Sequence, residues 1–225
     1  MGTHRGCDIA EIVVVQLNLS SGSATEISAQ LRHEDWRCTV ATLDGRLHQV
    51  QSGRHQDRDP QSVLMPLREA IRDAHRRYPD RLRAVSLAVA GTVRDDELAQ
   101  ASTLGWGPVD LSGLTAGTDL AFLVGNDATL AGVCEARTGA ATGARTALHL
   151  TVKVGVGGAL ILGGLAVPLR AATRAEFDAA YAGGLMTFRR AQPPPVVDAA
   201  HGAAARGLDH ITSEAALAAW SLRWT

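Results

Sequence analysis

Two short stretches of this chain hold residues whose types and spacing could do chemistry: Gly125-Asn126-Asp127 and Lys153-Val154-Gly155-Val156-Gly157-Gly158. The apolar run Leu120 to Val124 reads as a buried strand, and the small residues Ala128 to Arg137 read as a helix that starts at once. A carboxylate at Asp127 would then stand at a strand end in an α/β fold, where ligands bind, and could accept a proton from a bound hydroxyl. Asn126 beside it both donates and accepts, which suits a sugar. The same pair equally suits an Asx N-cap that satisfies the first amides of the helix. Gly155, Gly157 and Gly158 could hold a turn open so that backbone amides cradle a phosphate, or could simply form a hairpin turn. Trp106, in Thr103-Leu104-Gly105-Trp106, could stack on a pyranose ring or anchor loop packing.

These residues need a scaffold. Thr25 to Leu31, Trp36 to Thr42 and Leu47 to Val50 read as short antiparallel strands, the last two joined by the hairpin signal Asp44-Gly45. Asp59-Pro60 opens a helix whose Val63, Leu67, Ala70, Ile71, Ala74 and Tyr78 share one face, with Pro66 disturbing its beginning. Ala84 to Ala90 is a buried strand that delivers Gly91 to a loop. Leu148 to Val152 and Ala159 to Leu162 flank the glycine-rich turn as a second hairpin. Ile12 to Leu19 reads as a strand followed by a serine-glycine linker, and Ser213 to Trp224 as an amphipathic helix after an Ala-Gln-Pro-Pro-Pro stretch.

The 225 residues are 46% hydrophobic and 20% charged, with a net charge of -1, so the chain can bury a sizeable core and carries no global basic field for nucleic acid or anionic lipid. Arg68, Arg72, Arg76 and Arg77 are interleaved with Glu69 and Asp73, the pattern of a solvated helix face. Cys7, Cys38 and Cys134 make an odd set without a C-x-x-C pair, against a disulfide framework and for a reducing, cytoplasmic setting. The histidines show no metal spacing with them, so no metal site is expected. No apolar run reaches the ~20 residues of a membrane span, and the first residues lack the pattern of a signal peptide.

Four segments in order resemble the ROK family of sugar kinases and sugar-responsive repressors, over roughly Ser28 to Ala179. Ala88-Val89-Ala90-Gly91-Thr92-Val93 resembles V-P-G-x-V; Thr103-Leu104-Gly105-Trp106 resembles N-L-G-W; Gly125-Asn126-Asp127-Ala128 resembles E-N-D-A; and Leu150 to Gly158 resembles L-T-L-G-T-G-I-G-G. The resemblance implies a ribonuclease H-like, actin-like ATPase α/β fold, its first lobe complete and its second truncated or divergent. The expected division is an arm over 1–24, a first lobe over 25–135, a partial second lobe over 136–190 and a Pro/Ala-rich tail over 191–225. It also implies that Asp127 is the catalytic base in a kinase or a sugar contact in a repressor. Glu176 aligns with the glutamate of G-E-x-G-H, whose histidine is replaced by Ala179; the leading asparagine of N-L-G-W is replaced by Thr103, and the family's cysteine-rich zinc segment is absent.

The departures bear on function. The family's D-x-G-G-T phosphate loop falls on Gln30-Leu31-Arg32-His33-Glu34, where no glycine remains and Glu34 would face a terminal phosphate. The second loop has Lys153 and Val154 where a glycine and a threonine belong. The resemblance therefore implies a sugar-sensing protein related to the regulators and without kinase activity, binding through Asn126, Asp127, Glu176, Trp106 and Gly91, with Gly155, Gly157 and Gly158 as a phosphate-loop remnant and no cofactor. Two alternatives stay open: a glucokinase-like enzyme using ATP and Mg, with Asp127 as base, and a remnant without a ligand. The positions before Ser28 do not resemble a winged helix-turn-helix, so no direct DNA contact is expected. The expected partner is a small-molecule sugar, with a homodimer an open option. From Ala180 onward the family pattern ends, and a natural, frameshifted or truncated tail are equally open.

Overall fold

The computed structural model describes residues 24–32, 34–42, 46–78, 81–94, 97–152, 156–168, 199–213 and 215. The expected strand Ile12 to Leu19, the Asp44-Gly45 turn and most of the expected helix Ser213 to Trp224 lie outside them.

Three antiparallel strands, β1 (Ala24–Leu31), β2 (Asp35–Thr42) and β3 (Leu47–Arg54), lead into α1 (Pro60–Arg77). Asp59 caps α1 by accepting the Ser62 N–H at 2.9 Å, and Pro60 supplies the first helical residue. The helix runs through Pro66 without interruption. Its buried stripe of Val63, Leu67, Ala70, Ile71 and Ala74 outweighs the missing hydrogen bond, a penalty of about 3 kcal/mol for an interior proline.

Next come β4 (Ala84–Val89) and the small hairpin β5 (Thr92–Arg94) and β6 (Glu97–Gln100). After a 3-10 turn at Ser112–Leu114 follow β7 (Ala121–Asn126) and α2 (Asp127–Thr138). The first sheet has the order β3-β2-β1-β4-β7, with β1, β4 and β7 parallel. Such parallel pairing needs both faces covered, and the continuous burial of β4 shows that they are. One face joins α1 in the main core, which includes Leu31, Val40, Leu87, Trp106 and Val124.

The other face is small and polar, with Gln30, Ser86 and Ala88 buried upon it. Here lies α3 (Ala199–Ile211), packed on α2, β1 and β4. A Cβ on Gly202 would meet the Leu130 carbonyl oxygen at 1.7 Å, so the two helix backbones touch. Arg206 donates to the carbonyl of Val124 on β7, the last strand of the sheet, at 2.6 Å, and Arg137 pairs with Asp209.

A second sheet, of order β10-β9-β8, comprises β8 (Thr146–Val152), β9 (Val156–Leu162) and β10 (Leu165–Pro168), all antiparallel. Its Ile161, with Ala147 and Ala166, packs on Ala136 and Ala141 at the far end of α2.

Candidate functional site

Strands β1, β4 and β7 finish at one edge of the first sheet, with Val89 in register with Asn126. The loop carrying Gly91 therefore stands beside the start of α2, and the structure brings Gly91, Asn126 and Asp127 together. Asn126 has extended backbone angles and is the N-cap of α2. Its Oδ1 accepts the Thr129 N–H at 3.0 Å and the Thr129 hydroxyl at 3.2 Å. Its Nδ2 donates to the Gly91 carbonyl at 2.8 Å and to Asp127 Oδ1 at 3.4 Å. The amide is thus committed on both sides, and it clamps one loop to one helix.

Capping belongs to Asn126, which leaves Asp127 a different position. It is the first helical residue, half-buried, with Oδ1 accepting the Ala128 N–H at 2.9 Å. The positive end of the helix dipole favours a carboxylate there. Gly91 is required by packing, since a Cβ would meet Gln100 O and Leu98 Cδ1, each at 2.6 Å. Gly157 is required too, because a Cβ there would lie 2.8 Å from that of Ala128. The second hairpin therefore rests on the first turn of α2, beside Asp127. Gly158 is buried in β9. Gly155, Lys153, Val154 and Glu176 lie outside the described residues.

Trp106 is 5% exposed and belongs to the main core, with Nε1 donating to Arg58 O at 2.6 Å. Of the two roles weighed for it, the structure shows the packing anchor, and its ring faces are turned to the core and not to solvent.

The turn between β1 and β2 holds Arg32 and Glu34, with His33 outside the described residues. Arg32 makes a two-pronged ion pair with Asp35, at 2.5 and 2.6 Å, and its N–H donates to Asp35 O. Arg54 pairs with Glu34, His55 N–H donates to Glu34 O, and the His55 ring bonds Arg32 O at 3.1 Å. Sequence reasoning missed His55, because its role depends on β3 bringing it back across the sheet. Beside this turn lies a cleft of about 310 Å³ lined by Glu34, Arg54, His55, Gln56, Asp57 and Arg58. Neither Asn126 nor Asp127 lines it. Hydrogen bonds from the Asp59 amide and the Ser62 side chain hold the exposed Asp57 carboxyl below its ordinary range.

Two groups elsewhere are shifted by burial. Cys38 has its thiol pushed up to about 12 by desolvation, so it stays protonated. Desolvation holds the half-buried His149 imidazole on β8 below its ordinary value, against an opposing pull from the Glu135 charge. Among the described residues no group of three side chains could hold a metal ion, and no helix is long and apolar enough to cross a membrane.

The chain matches the ROK family over residues 33–177. No curated protein matches it. Among solved structures it is similar to a ROK family glucokinase from Streptomyces griseus in complex with glucose and AMPPNP, at 24% identity and a TM-score of 0.57, covering 68% of this chain and 49% of that one. It is similar also to a ROK family transcriptional regulator, a homologue of the E. coli MLC protein, at 18% identity and a TM-score of 0.60, covering 68% of this chain and 40% of that one. An inorganic polyphosphate/ATP-glucomannokinase from Arthrobacter sp. strain KM shares 26% identity at a TM-score of 0.52, covering 65% of this chain and 62% of that one. The chain spans about half the length of the first two solved relatives, or less.

Proposed function

Because the chain belongs to the ROK family and has that family's ribonuclease H-like, actin-like ATPase fold, we propose that it binds a hexose or hexose derivative without phosphorylating it, as a sensor related to the family's regulators. In this reading Asp127 accepts a hydrogen bond from a sugar hydroxyl. Asn126 and Gly91 hold the carboxylate in place through their clamp, and Glu176 adds a second acceptor.

One observation carries the choice against a kinase. The β1–β2 turn, where the family places its first glycine-rich phosphate loop, is closed by the Arg32–Asp35 ion pair and by Glu34 and His55. A phosphate cradle needs backbone amides open to the ligand and no carboxylate against it. The kinase reading draws support from Asp127 at its strand end and from the Gly157 hairpin packed beside it. In that reading Asp127 is the base that takes the hydroxyl proton, and Mg-ATP is the phosphoryl donor.

Two measurements on the full chain separate the readings. Coupled phosphorylation with Mg-ATP across common hexoses is expected to give no turnover; turnover lost in Asp127→Ala would establish the kinase. Thermal unfolding against a sugar panel is expected to show stabilisation of about 2.7 kcal/mol at a hundred times Kd, lost in Asp127→Ala. Silence in both leaves a fold without a ligand.

A further inference from the structure

At the edge of the first sheet, β2 and β3 carry the successive cross-strand pairs Asp35↔Arg54, Trp36↔Gly53 and Arg37↔Ser52. Trp36 is buried in the main core on the α1 side, so Asp35, Arg37, Ser52 and Arg54 project from the opposite face. A Cβ on Gly53 would lie 2.8 Å from the Trp36 ring, so the glycine lets the indole lie against the β3 backbone. With Arg32 from the β1–β2 turn, these residues line a second cleft, of about 260 Å³, which shares Arg54 with the first. Neither Asn126 nor Asp127 lines it.

The lining holds the guanidinium groups of Arg32, Arg37 and Arg54 and only the carboxylate of Asp35, in a protein whose net charge is -1. Arg32 engages both oxygens of Asp35, at 2.5 and 2.6 Å, so that carboxylate is spent within the cleft wall. Arg54 reaches Glu34, which is not part of the lining, at 3.2 Å, a pair between exposed groups that water screens. Arg37 is exposed and makes no ion pair with any described residue. Arg37 and Arg54 stand diagonally on neighbouring strands, a separation of about 7–8 Å. Two cationic forks so placed repel each other, and one tetrahedral oxyanion between them removes the repulsion and accepts hydrogen bonds from both. Ser52, opposite Arg37, adds a hydroxyl.

We propose that this cleft binds a phosphate group, free or esterified to a small molecule, through Arg37 and Arg54, with Ser52 as a further donor. A phosphate monoester near neutral pH carries about -1.5 to -2 charges, which two arginines match. The contacts come from side chains on a sheet face, apart from the closed backbone of the β1–β2 turn. Asp127 lies outside the cleft, so the phosphate is gripped and not transferred.

Isothermal titration of the full chain with inorganic phosphate, at an ionic strength fixed with chloride, is expected to show binding. Arg37→Gln and Arg54→Gln are each expected to weaken it about tenfold or more. Arg76→Gln, which removes the same charge from the exposed face of α1, and Asp127→Ala are expected to leave it unchanged. Glycerol phosphate tells the two sources apart: tighter binding than inorganic phosphate, with glycerol silent, supports an esterified ligand, and equal binding supports the free ion. Ser52→Asp, at an exposed position of β3, sets a carboxylate in the cleft and is expected to abolish binding, which keeps the test open if an arginine variant does not fold. Phosphate binding no stronger than that of chloride overturns the proposal. So does an equal loss in Arg76→Gln, which would make the effect one of general charge.

Discussion

Asn126 uses one amide to end a strand, cap a helix and hold a neighbouring loop, so it shapes the site more than it opens onto it. Asn126→Ala is expected to lower stability by about 1–2 kcal/mol, the cap plus one hydrogen bond, and to loosen the Gly91 loop; urea unfolding of the two proteins measures it. Asn126→Asp keeps the cap acceptor and sets a carboxylate against the Gly91 carbonyl, so its stability should not return to that of the native chain. The sequence left capping and ligand contact open for this pair. The division could not be seen there, since it depends on Gly91, thirty-five positions upstream, arriving beside Asn126 through the pairing of β4 with β7. His149 adds a pH dependence. Its imidazole titrates below the ordinary 6.5 in the fold, because desolvation outweighs the Glu135 charge. The unfolded chain then binds the proton more readily. Stability contributed by neutral His149 is full above 6.5 and is lost as the pH falls from there through the lowered folded value. Thermal unfolding between pH 7.5 and 5 should show His149→Gln with a shallower acid-side decline than the native protein.

The elements that were legible carry large side chains in a period. The α1 stripe and its Asp59-Pro60 start and the strands β2 and β4 fall where the sequence puts them. The second hairpin forms, but β9 begins at Val156, so Gly157 and Gly158, expected in the turn, are strand residues paired with Thr151 and Leu150. Strand β7 and helix α2 each extend past the expected limits, because Asn126 closes one and Asp127 begins the other. Helix α3 was not legible. Its Ala199, Ala200, Ala203 and Ala204 give no contrast between faces by size, and its buried glycines argue locally against a helix. What selects it is tertiary: only small residues let α3 lie directly on α2. Gly202→Ala places a methyl group within 1.7 Å of the Leu130 carbonyl oxygen, so the helices must part. Denaturant titration should show a loss of about 1–3 kcal/mol or more, although alanine favours an isolated helix. Gly113→Ala, with nothing within 4 Å, serves as the neutral comparison.

At the scale of the molecule, the first sheet depends on a helix supplied after the second. β7 is the last strand of its sheet, and Arg206 of α3 donates to the carbonyl of Val124 upon it. Ala199 and Ala203 cover Ala88 and Leu130, and Asp209 holds Arg137. The main core on the α1 side is built without α3 and includes the large side chains, so its secondary structure has reason to persist without that helix. The small-residue face does not, since Ala88 and Leu130 would lose their apolar cover and the edge carbonyl of Val124 its donor. A chain ending at Pro168 is therefore expected to keep much of its far-UV signal, bind a hydrophobic dye and unfold over a broad denaturant range. A chain ending at Ala215 should unfold less broadly, because it retains α3. If the shorter chain unfolds as sharply as the full protein and with an unchanged midpoint, α3 adds nothing to the cooperative unit. The close contact between α2 and α3 would then have to be independent of the folding of the first sheet.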